Sequence, residues 1–365
     1  MFGRFSFACY RLNVGLHSGE PSGREEPIAI WRSTTSPLVI AIVLNWNNLA
    51  DTLECVESLR CSDYSNLAIW VVDNDSDDDP TPELRAKYPD VRVFRNTRNL
   101  GYAGGNNTGV RAGMDSGAAY VFLLNNDAVV AANCVRVLVA AAEAHPRMGM
   151  ATPKVFHYYR RDEVYWDGGV IDWHSGDVRH DSSTLATEAG FLRSEWLNGC
   201  ALLVRVAAIR DIGLLDERYF LYFEDADWSV RAARRGWTNA VVGEAQAWHK
   251  VNVSTGGFAN PVMRYYFFRN RYLFAARHSL LPRRFQWKCR YLWSMWCTYV
   301  RARHEPENRR VFLFVLASLL CGSTGAYGDT LSTSRLVTRL DGILTSALKV
   351  GSAIKKALPT INRGS

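Results

Sequence analysis

No two of the eight cysteines (Cys9, Cys55, Cys61, Cys134, Cys200, Cys289, Cys297 and Cys321) stand in C-x-x-C spacing, and no Cys/His cluster has zinc-finger spacing. A chain of 365 residues with so few thiols is poorly explained as a disulfide scaffold or a structural zinc protein. Long apolar runs are also missing. The longest, Pro37–Leu44 and Val311–Cys321, fall short of the roughly 18–20 residues a spanning helix needs. Met1–Tyr10 carries Arg4 but no apolar h-region, which predicts no secretory leader. There are no internal repeats and no low-complexity tract. These absences predict reduced, dispersed thiols in a cytosolic protein, soluble or peripheral to a membrane.

What is present is a core and an uneven charge. The chain is 48% hydrophobic and 22% charged, too rich in core residues for intrinsic disorder. Its net charge of +7 invites a polyanion partner. Residues 261–310, however, hold 12 Lys and Arg against Glu305 and Glu307, and residues 311–365 hold 6 basic against 2 acidic side chains. Residues 1–260 are therefore net acidic, at −7. An acidic body carries a basic tail.

Along the body, β-branched runs alternate with helical patterns. Leu38–Leu44, Leu67–Val72, Val91–Phe94 and Tyr120–Leu124 read as buried strands. Asp51–Arg60, Glu83–Tyr88 and Asn133–His145 read as helices, and Asn99–Gly109 reads as a glycine-rich loop before another helix. Trp196–Val204 reads as a strand interrupted by glycine, and Glu224–Arg235 as a helix ended by Gly236. This order predicts an open, doubly wound α/β sheet. In such sheets ligands bind outside the carboxyl ends of the strands. The polar residues at 45–47, 73–76 and 125–127 are thus expected to converge on one crevice.

Each polar group has a chemical reading and a plainer structural one. Asp127, ending the strand YVFLLNND, suits a divalent cation beside a diphosphate, yet Asp and Asn also favour helix caps. Asp73 suits a ligand N–H such as a pyrimidine imide, or a simple Asx turn. The glycine-rich loop suits close backbone approach to phosphate or ribose, or is a plain turn. Glu224, Asp225 and Asp227 crowd one helix start; the dipole can stabilise them, or repulsion can tune one as a general base. His249 follows the last strand region, where a metal role competes with a structural one.

Taken in order, the motifs VLNWNN, VVDNDS, NLGYAGGNNTG, LLNND, WLNGCALLVR, DERYFLYFEDADWSVRAARRGW, AWHKVNVSTG and YYFFRNR resemble the inverting nucleotide-sugar glycosyltransferases of the GT-A fold. The nearest branch in pattern is the bacterial rhamnosyltransferase and galactofuranosyltransferase one. The resemblance runs from about Leu38 to about Arg277. It implies a Rossmann-like, GT-A type nucleotide-sugar-binding sheet and a helical, basic C-terminal region. It implies that Asn45, Trp46 and Asn47 line the nucleobase and ribose site and that Asp73 reads the uracil or thymine imide. Asn99, Gly101 and Asn106 would follow the ribose and diphosphate. Asn125, Asn126 and Asp127 would stand where the family often has Asp-x-Asp, with Asn125 in place of the first acid. Asp127 and His249 would bind Mg²⁺ or Mn²⁺, Asp225 would be the catalytic base, and Glu224 and Asp227 would shape the pocket. Trp196, Asn198 and Gly199 would wall the sugar and acceptor.

The resemblance further implies a dTDP- or UDP-linked donor, with rhamnose first and galactofuranose, N-acetylglucosamine or glucose next. The acceptor would be a cell-surface glycan or its lipid-linked precursor. The expected organisation is an N-terminal extension over 1–36, a catalytic domain over 37–260 and a basic, aromatic helical region over 261–365. Two readings of that last region stay open: an amphipathic surface on anionic lipid at the inner membrane face, or a bundle packed on the body or on a second subunit. Two other functions compete poorly. Nucleic-acid binding has no motif to support it and would set the acidic body against the ligand. A nicotinamide dehydrogenase lacks G-x-G-x-x-G after Leu44. A binding scaffold without catalysis is disfavoured because Asp73, Asp127, Asp225 and His249 are all present.

Overall fold

The computed structural model describes residues 36–188, 190–251 and 261–278, with isolated positions between 291 and 346. Residues 1–35 of the N-terminal extension expected over 1–36, and most of the basic tail, including Phe285, Trp287 and Arg290, lie outside the described residues. The first half alternates as expected: β1 (Val39–Asn45), α1 (Leu49–Arg60), β2 (Leu67–Asp73), α2 (Thr81–Lys87), β3 (Arg92–Arg95), α3 (Gly101–Asp115) and β4 (Tyr120–Asn125). Then come β5 (Ala128–Val130), α4 (Cys134–Ala144), β6 (Met148–His157) and β7 (Val164–Trp166), followed by the hairpin β8 (Gly169–Asp172) and β9 (Asp177–His180). The remainder is β10 (Ala186–Glu188), β11 (Phe191–Arg193), β12 (Ala201–Arg205), α5 (Val206–Ile212), α6 (Glu224–Arg234), β13 (Thr238–His249) and α7 (Pro261–His278).

Eleven strands form one sheet along the path β10-β11-β13-β6-β12-β4-β1-β2-β3, with β5 on β13 and β7 on β6. β1 runs parallel to β2 and β4, and its register pairs Asn45 with Asp73 and Leu44 with Asn125. The polar ends of three strands therefore lie level, as expected from sequence. β12 is antiparallel to both β4 and β6. The core lies along both faces of the central strands: Val39 to Val43 and Tyr120 to Leu124 are all within 2% of full burial. Continuous β-branched and aromatic runs are what a strand covered on both faces requires.

Three expectations are corrected. Asn99–Gly109 is not a loop, because α3 begins at Gly101. Glycine interrupts helices at about 1 kcal/mol per residue relative to alanine. Here Gly105, Gly109 and Gly113 recur every fourth residue and let the helix close on the sheet. A Cβ at Gly105 would meet Leu44 Cδ1 at 2.5 Å, and one at Gly109 would meet Ile42 Cγ2 at 2.6 Å. Second, Trp196–Cys200 is not strand; β12 starts at Ala201. Third, β6, a stretch for which the sequence predicts no element, fills the sheet. Its Pro153 pairs with Val242 at the edge of a bulge that skips from Val242 to Gln246 on β13. Proline cannot donate to a ladder, so a bulge is where it fits.

The boundary expected at 260 does not separate α7 from the body. Phe274 of α7 is fully buried in the main core, and Phe267 and Leu273 pack against it. A buried phenylalanine of this kind stabilises by about 1.5–3 kcal/mol. Among the described residues, no helix is long and apolar enough to cross a membrane.

Candidate active site

A cavity of about 690 Å³ opens at the carboxyl ends of β1, β2 and β4. The sheet's topology explains its polar floor. β13 pairs with β5 so that His249 stands opposite Ala128, one residue beyond Asp127. Side chains 122 positions apart thereby meet, with His249 Nε2 at 3.0 Å from Asp127 Oδ1. Both are largely buried, and Asn125 Nδ2 lies 3.4 Å from the same imidazole nitrogen. The other ring nitrogen, His249 Nδ1, is buried without a hydrogen-bond partner. Tyr165 packs edge-on against the ring at 5.4 Å.

Another part of the lining is built by the start of α6. Asp225 Oδ2 accepts from the Gly199 N–H at 3.0 Å, and Oδ1 accepts from the Ala226 N–H at 2.7 Å. Tyr102 donates its hydroxyl to the Gly199 carbonyl at 2.5 Å, which ties α3 to the same turn. Gly199 is required there, since a Cβ would meet the Tyr102 hydroxyl at 2.7 Å. Asp225 keeps part of its surface on the cavity, yet enclosure strips away bulk water. Desolvation pushes its carboxyl up to about 6, against the lowering effect of the two backbone N–H groups. Glu224 is pushed well above the usual carboxylate range by burial and by the Asp225 charge beside it, and its Oε2 is buried without a partner. Paired carboxyls with separated values mark an acid and a base. Burial and the neighbouring charge thus disfavour ionisation of Glu224, while Asp225 at about 6 is the one that two backbone N–H groups favour as the carboxylate.

If Asp225 serves as a base, it must be deprotonated to work. Turnover is therefore expected to fall as pH drops through about 6 and to level off above it. A pH–kcat profile checks this; an acidic limb near the ordinary Asp value would contradict the desolvated site.

Most predicted site residues do come together. Trp46, Asn99, Gly101, Asn125, Asn126, Asp127, Trp196, Asn198, Gly199, Glu224, Asp225 and His249 all line the cavity. Five do not, and each has a structural occupation instead. Asp73 is fully buried; it accepts from Asn45 Nδ2 at 2.8 Å and from Ser76 Oγ at 2.5 Å, and Arg95 Nε lies 3.5 Å away. Asn45 is consumed by that contact and by Thr52 Oγ1, which donates to it at 2.8 Å. Asn47 has φ of 51° and exchanges hydrogen bonds with Asp77 at the rim. Asn106 is buried within α3 and donates to the Tyr102 carbonyl at 3.0 Å. Asp227 is fully buried beneath α6 among Arg231, Arg277 and His278.

The sequence reading missed other lining residues. Asn74, next to Asp73, is the hub of the loop before α3: it donates to Asn99 Oδ1 at 2.9 Å and to the Gly101 carbonyl at 3.1 Å. It also accepts from Asn96 and from the Leu100 N–H. Tyr165 and Trp166 from β7, Val178 and His180 from β9, and Met263, Tyr266 and Phe267 from α7 also line it, as does the segment Phe220–Phe223 before α6. Asn74 sits inside a quoted motif, so that motif carried a signal for it. Nothing in the sequence around 165–180 marked that stretch as part of the site.

Asp127 and His249 also fit a cation. Among the described residues no group of three or more His, Cys, Asp or Glu side chains could hold a metal ion. The carboxylate nevertheless suits Mg²⁺ or Mn²⁺, which take few protein ligands when substrate phosphates complete the shell, and the imidazole nitrogen favours Mn²⁺ of the two.

Comparison with known proteins agrees with this geometry. The model of Glycosyl transferase family 2 matches residues 40–193, and that of Glycosyl transferase family group 2 matches residues 120–328, more than half the chain. An N-acetylglucosaminyl-diphospho-decaprenol L-rhamnosyltransferase of Mycobacterium tuberculosis is 29% identical over 223 residues, covering 54% of this chain and 71% of that protein. The low-salt glycan biosynthesis hexosyltransferase Agl10 of Haloferax volcanii is 25% identical over 220 residues, covering 56% of this chain and 65% of that one. S. aureus TarS 1–349, solved in complex with UDP-GlcNAc, shares the fold with a TM-score of 0.51 at 15% identity, over 77% of this chain and 80% of that one. GalNAc-T7, solved with UDP, GalNAc and Mn²⁺, does so with a TM-score of 0.50 at 17% identity, over 58% of this chain; the match spans 43% of GalNAc-T7. The chain belongs to glycosyl transferase family group 2 and is a glycosyltransferase of the GT-A fold.

Proposed function

We propose that this enzyme transfers a sugar, with inversion, from a nucleoside diphosphate sugar to an acceptor hydroxyl, with Asp225 as general base. The observation that carries the reading is that Asp225 and the Asp127–His249 pair line one cavity. Asp225 takes the proton of the acceptor hydroxyl while that oxygen bonds to the anomeric carbon. The bond from that carbon to the diphosphate oxygen breaks, and the nucleoside diphosphate leaves with the electron pair. Asp225 and Glu224 are adjacent on one helical turn, so they do not flank a sugar from both faces. Burial and the Asp225 charge raise the Glu224 carboxyl and disfavour its anionic, nucleophilic form. A single displacement follows.

Asp127 and His249 would hold Mg²⁺ or Mn²⁺, and bound there the cation would supply positive charge to the diphosphate. Trp46, 43% exposed at the mouth, offers a face for the base, and Asn99 and Gly101 offer polar contacts along the ribose and diphosphate. Trp196, Asn198 and Gly199 wall the acceptor side. Asp73 and Asn45 act indirectly, by fixing the Ser76 turn beside the base site.

Rhamnose from a dTDP donor is the favoured sugar, on the likeness to the Mycobacterium tuberculosis rhamnosyltransferase. The same likeness favours a lipid-linked acceptor and action at a membrane face. A UDP-sugar such as UDP-N-acetylglucosamine is the second reading, on the likeness to TarS. Thermal shift against a panel of nucleotide sugars tests the choice: dTDP-rhamnose is expected to stabilise most, and a larger shift with a UDP-sugar reverses the order.

The cation has its own readout. Mn²⁺ is expected to tighten nucleoside diphosphate binding about tenfold, which is about 1.4 kcal/mol. Asp127→Ala should erase that gain. Calorimetric affinities indifferent to Mn²⁺ would remove the metal from the account.

A further inference from the structure

The segment that delivers Asp225 is held in an unfavourable backbone form. Phe220, Tyr222 and Phe223 have φ of 64°, 71° and 70°. Left-handed residues other than glycine cost on the order of 1–3 kcal/mol each and persist only where the surroundings over-determine them. Aromatic side chains lack the short polar group that lets Asn or Asp adopt this region locally. Phe223 immediately precedes α6, and its carbonyl accepts the first helical bond, from the Asp227 N–H at 2.9 Å. The three dihedrals therefore set where Asp225 points.

The surroundings that hold them lie on α7. Asn270 is fully buried. Its Nδ2 donates to the carbonyls of Tyr219 at 2.7 Å, Leu221 at 2.6 Å and Tyr222 at 2.8 Å. Arg269 Nη2 donates to the carbonyls of Arg218 at 2.5 Å and Tyr219 at 2.9 Å. Arg269 Nε also donates to Asn270 Oδ1 at 2.8 Å, which fixes the amide with its nitrogen toward the strained segment. On the far side the Phe220 carbonyl accepts from the Tyr102 and Ala103 N–H groups at the start of α3. Phe220 stacks on Tyr266 at 4.8 Å. One carboxamide thus collects three carbonyls that no regular secondary structure serves.

We propose that Asn270, oriented by Arg269, is a positioning residue for sugar transfer: it holds Tyr219–Phe223 in its left-handed form and so aims Asp225 into the cavity. The inference rests on Asp225 being the base. The proposed cation ligands Asp127, after β4, and His249, at the end of β13, lie outside this segment, so Asn270 should govern turnover more than nucleotide affinity.

The test compares Asn270→Asp with Asn270→Ala in the full chain. Aspartate keeps the shape but turns an acceptor-only carboxylate on three carbonyls; alanine merely removes the donors. Expected is a kcat loss of about 100-fold or more in Asn270→Asp, the scale of a small misplacement of a catalytic group. The loss in Asn270→Ala should be smaller, with UDP or dTDP affinity near wild type in both. A second arm adds Tyr222→Gly to Asn270→Ala. Glycine relieves a left-handed site, so the pair should lose clearly less than the product of the single losses. Near-normal kcat in Asn270→Asp overturns the proposal while leaving Asp225 as the base. Loss of nucleotide binding and cooperative unfolding together with turnover overturns it too, by making Asn270 a general fold residue. Strictly multiplicative losses in the double variant remove the strain argument. Near-normal transfer by Asp225→Asn defeats the parent reading, and this inference with it.

Discussion

Asp225→Asn should lower kcat by about 1,000-fold or more while leaving nucleoside diphosphate affinity near wild type. General base catalysis contributes roughly 10²–10⁴ in rate, or about 3–5 kcal/mol of barrier. Asparagine has nearly the same shape but cannot take a proton from the acceptor hydroxyl. The two N–H groups that Asp225 accepts, from Gly199 and Ala226, fix the position of the carboxylate and lower its basicity only in part. Burial then restores a value near 6, close enough to neutral pH for efficient proton transfer. Donor affinity is expected to survive in this variant because the proposed diphosphate contacts are Asp127 and His249, not Asp225. Single-turnover rates and calorimetry on the same preparation separate the two effects. Turnover within about fivefold of wild type would mean another group takes the proton.

Asp227→Ala should destabilise the fold by about 3–5 kcal/mol, the usual cost of removing one partner from a buried ion pair. Asp227 is fully buried and accepts from Arg231 Nε at 2.7 Å and from His278 Nε2 at 2.7 Å; Arg277 Nη1 lies 3.2 Å away. Burial alone would raise its carboxyl, but the His278 hydrogen bond and the Arg231 and Arg277 guanidiniums outweigh that and hold it below the usual range. His278 is pushed down by burial despite Asp227, so at neutral pH it is a neutral imidazole. Its Nε2–H then donates to Asp227 and its Nδ1 accepts from Arg234 at 2.9 Å. The network joins α6 to α7. Because the folded value of Asp227 is depressed, its contribution is present above the ordinary value of 3.8 and is lost as pH falls through the lowered one. Urea unfolding at neutral pH checks the size. A loss under about 1 kcal/mol would mean water replaces the carboxylate and the site is not sealed.

The parallel half of the sheet was legible because strands buried on both faces must be apolar throughout. β1, β2 and β4 carry that signature, and the level ends of Asn45, Asp73 and Asn125 follow from their register. β6 was not legible, because Pro153 and three polar residues interrupt its apolar run and only the bulge opposite makes room for the proline. α3 was misread for a related reason. Helix propensity counts glycine as a breaker, while here close approach to Leu44 and Ile42 decides. Propensity is local and packing is not.

The acids at 224–227 show a finer limit. Residues two apart on a helix point about 200° away from each other. Asp225 and Asp227 therefore cannot share a face, but only the packing of α7 reveals which one looks inward. Asp73 carried the strand-end signature and is nonetheless spent on Asn45 and Ser76, while its neighbour Asn74 lines the cavity. The α7 aromatics were legible as a composition. Their place in the cavity wall was not, because contacts across more than forty residues leave no periodicity to read.

The central claim is a single displacement at the anomeric carbon driven by Asp225. Nuclear magnetic resonance of the isolated product, made with a donor of known anomeric configuration, tests it most directly. The account predicts a glycosidic bond of the opposite configuration to the donor, formed throughout the reaction. A product that retains the donor's configuration would contradict it.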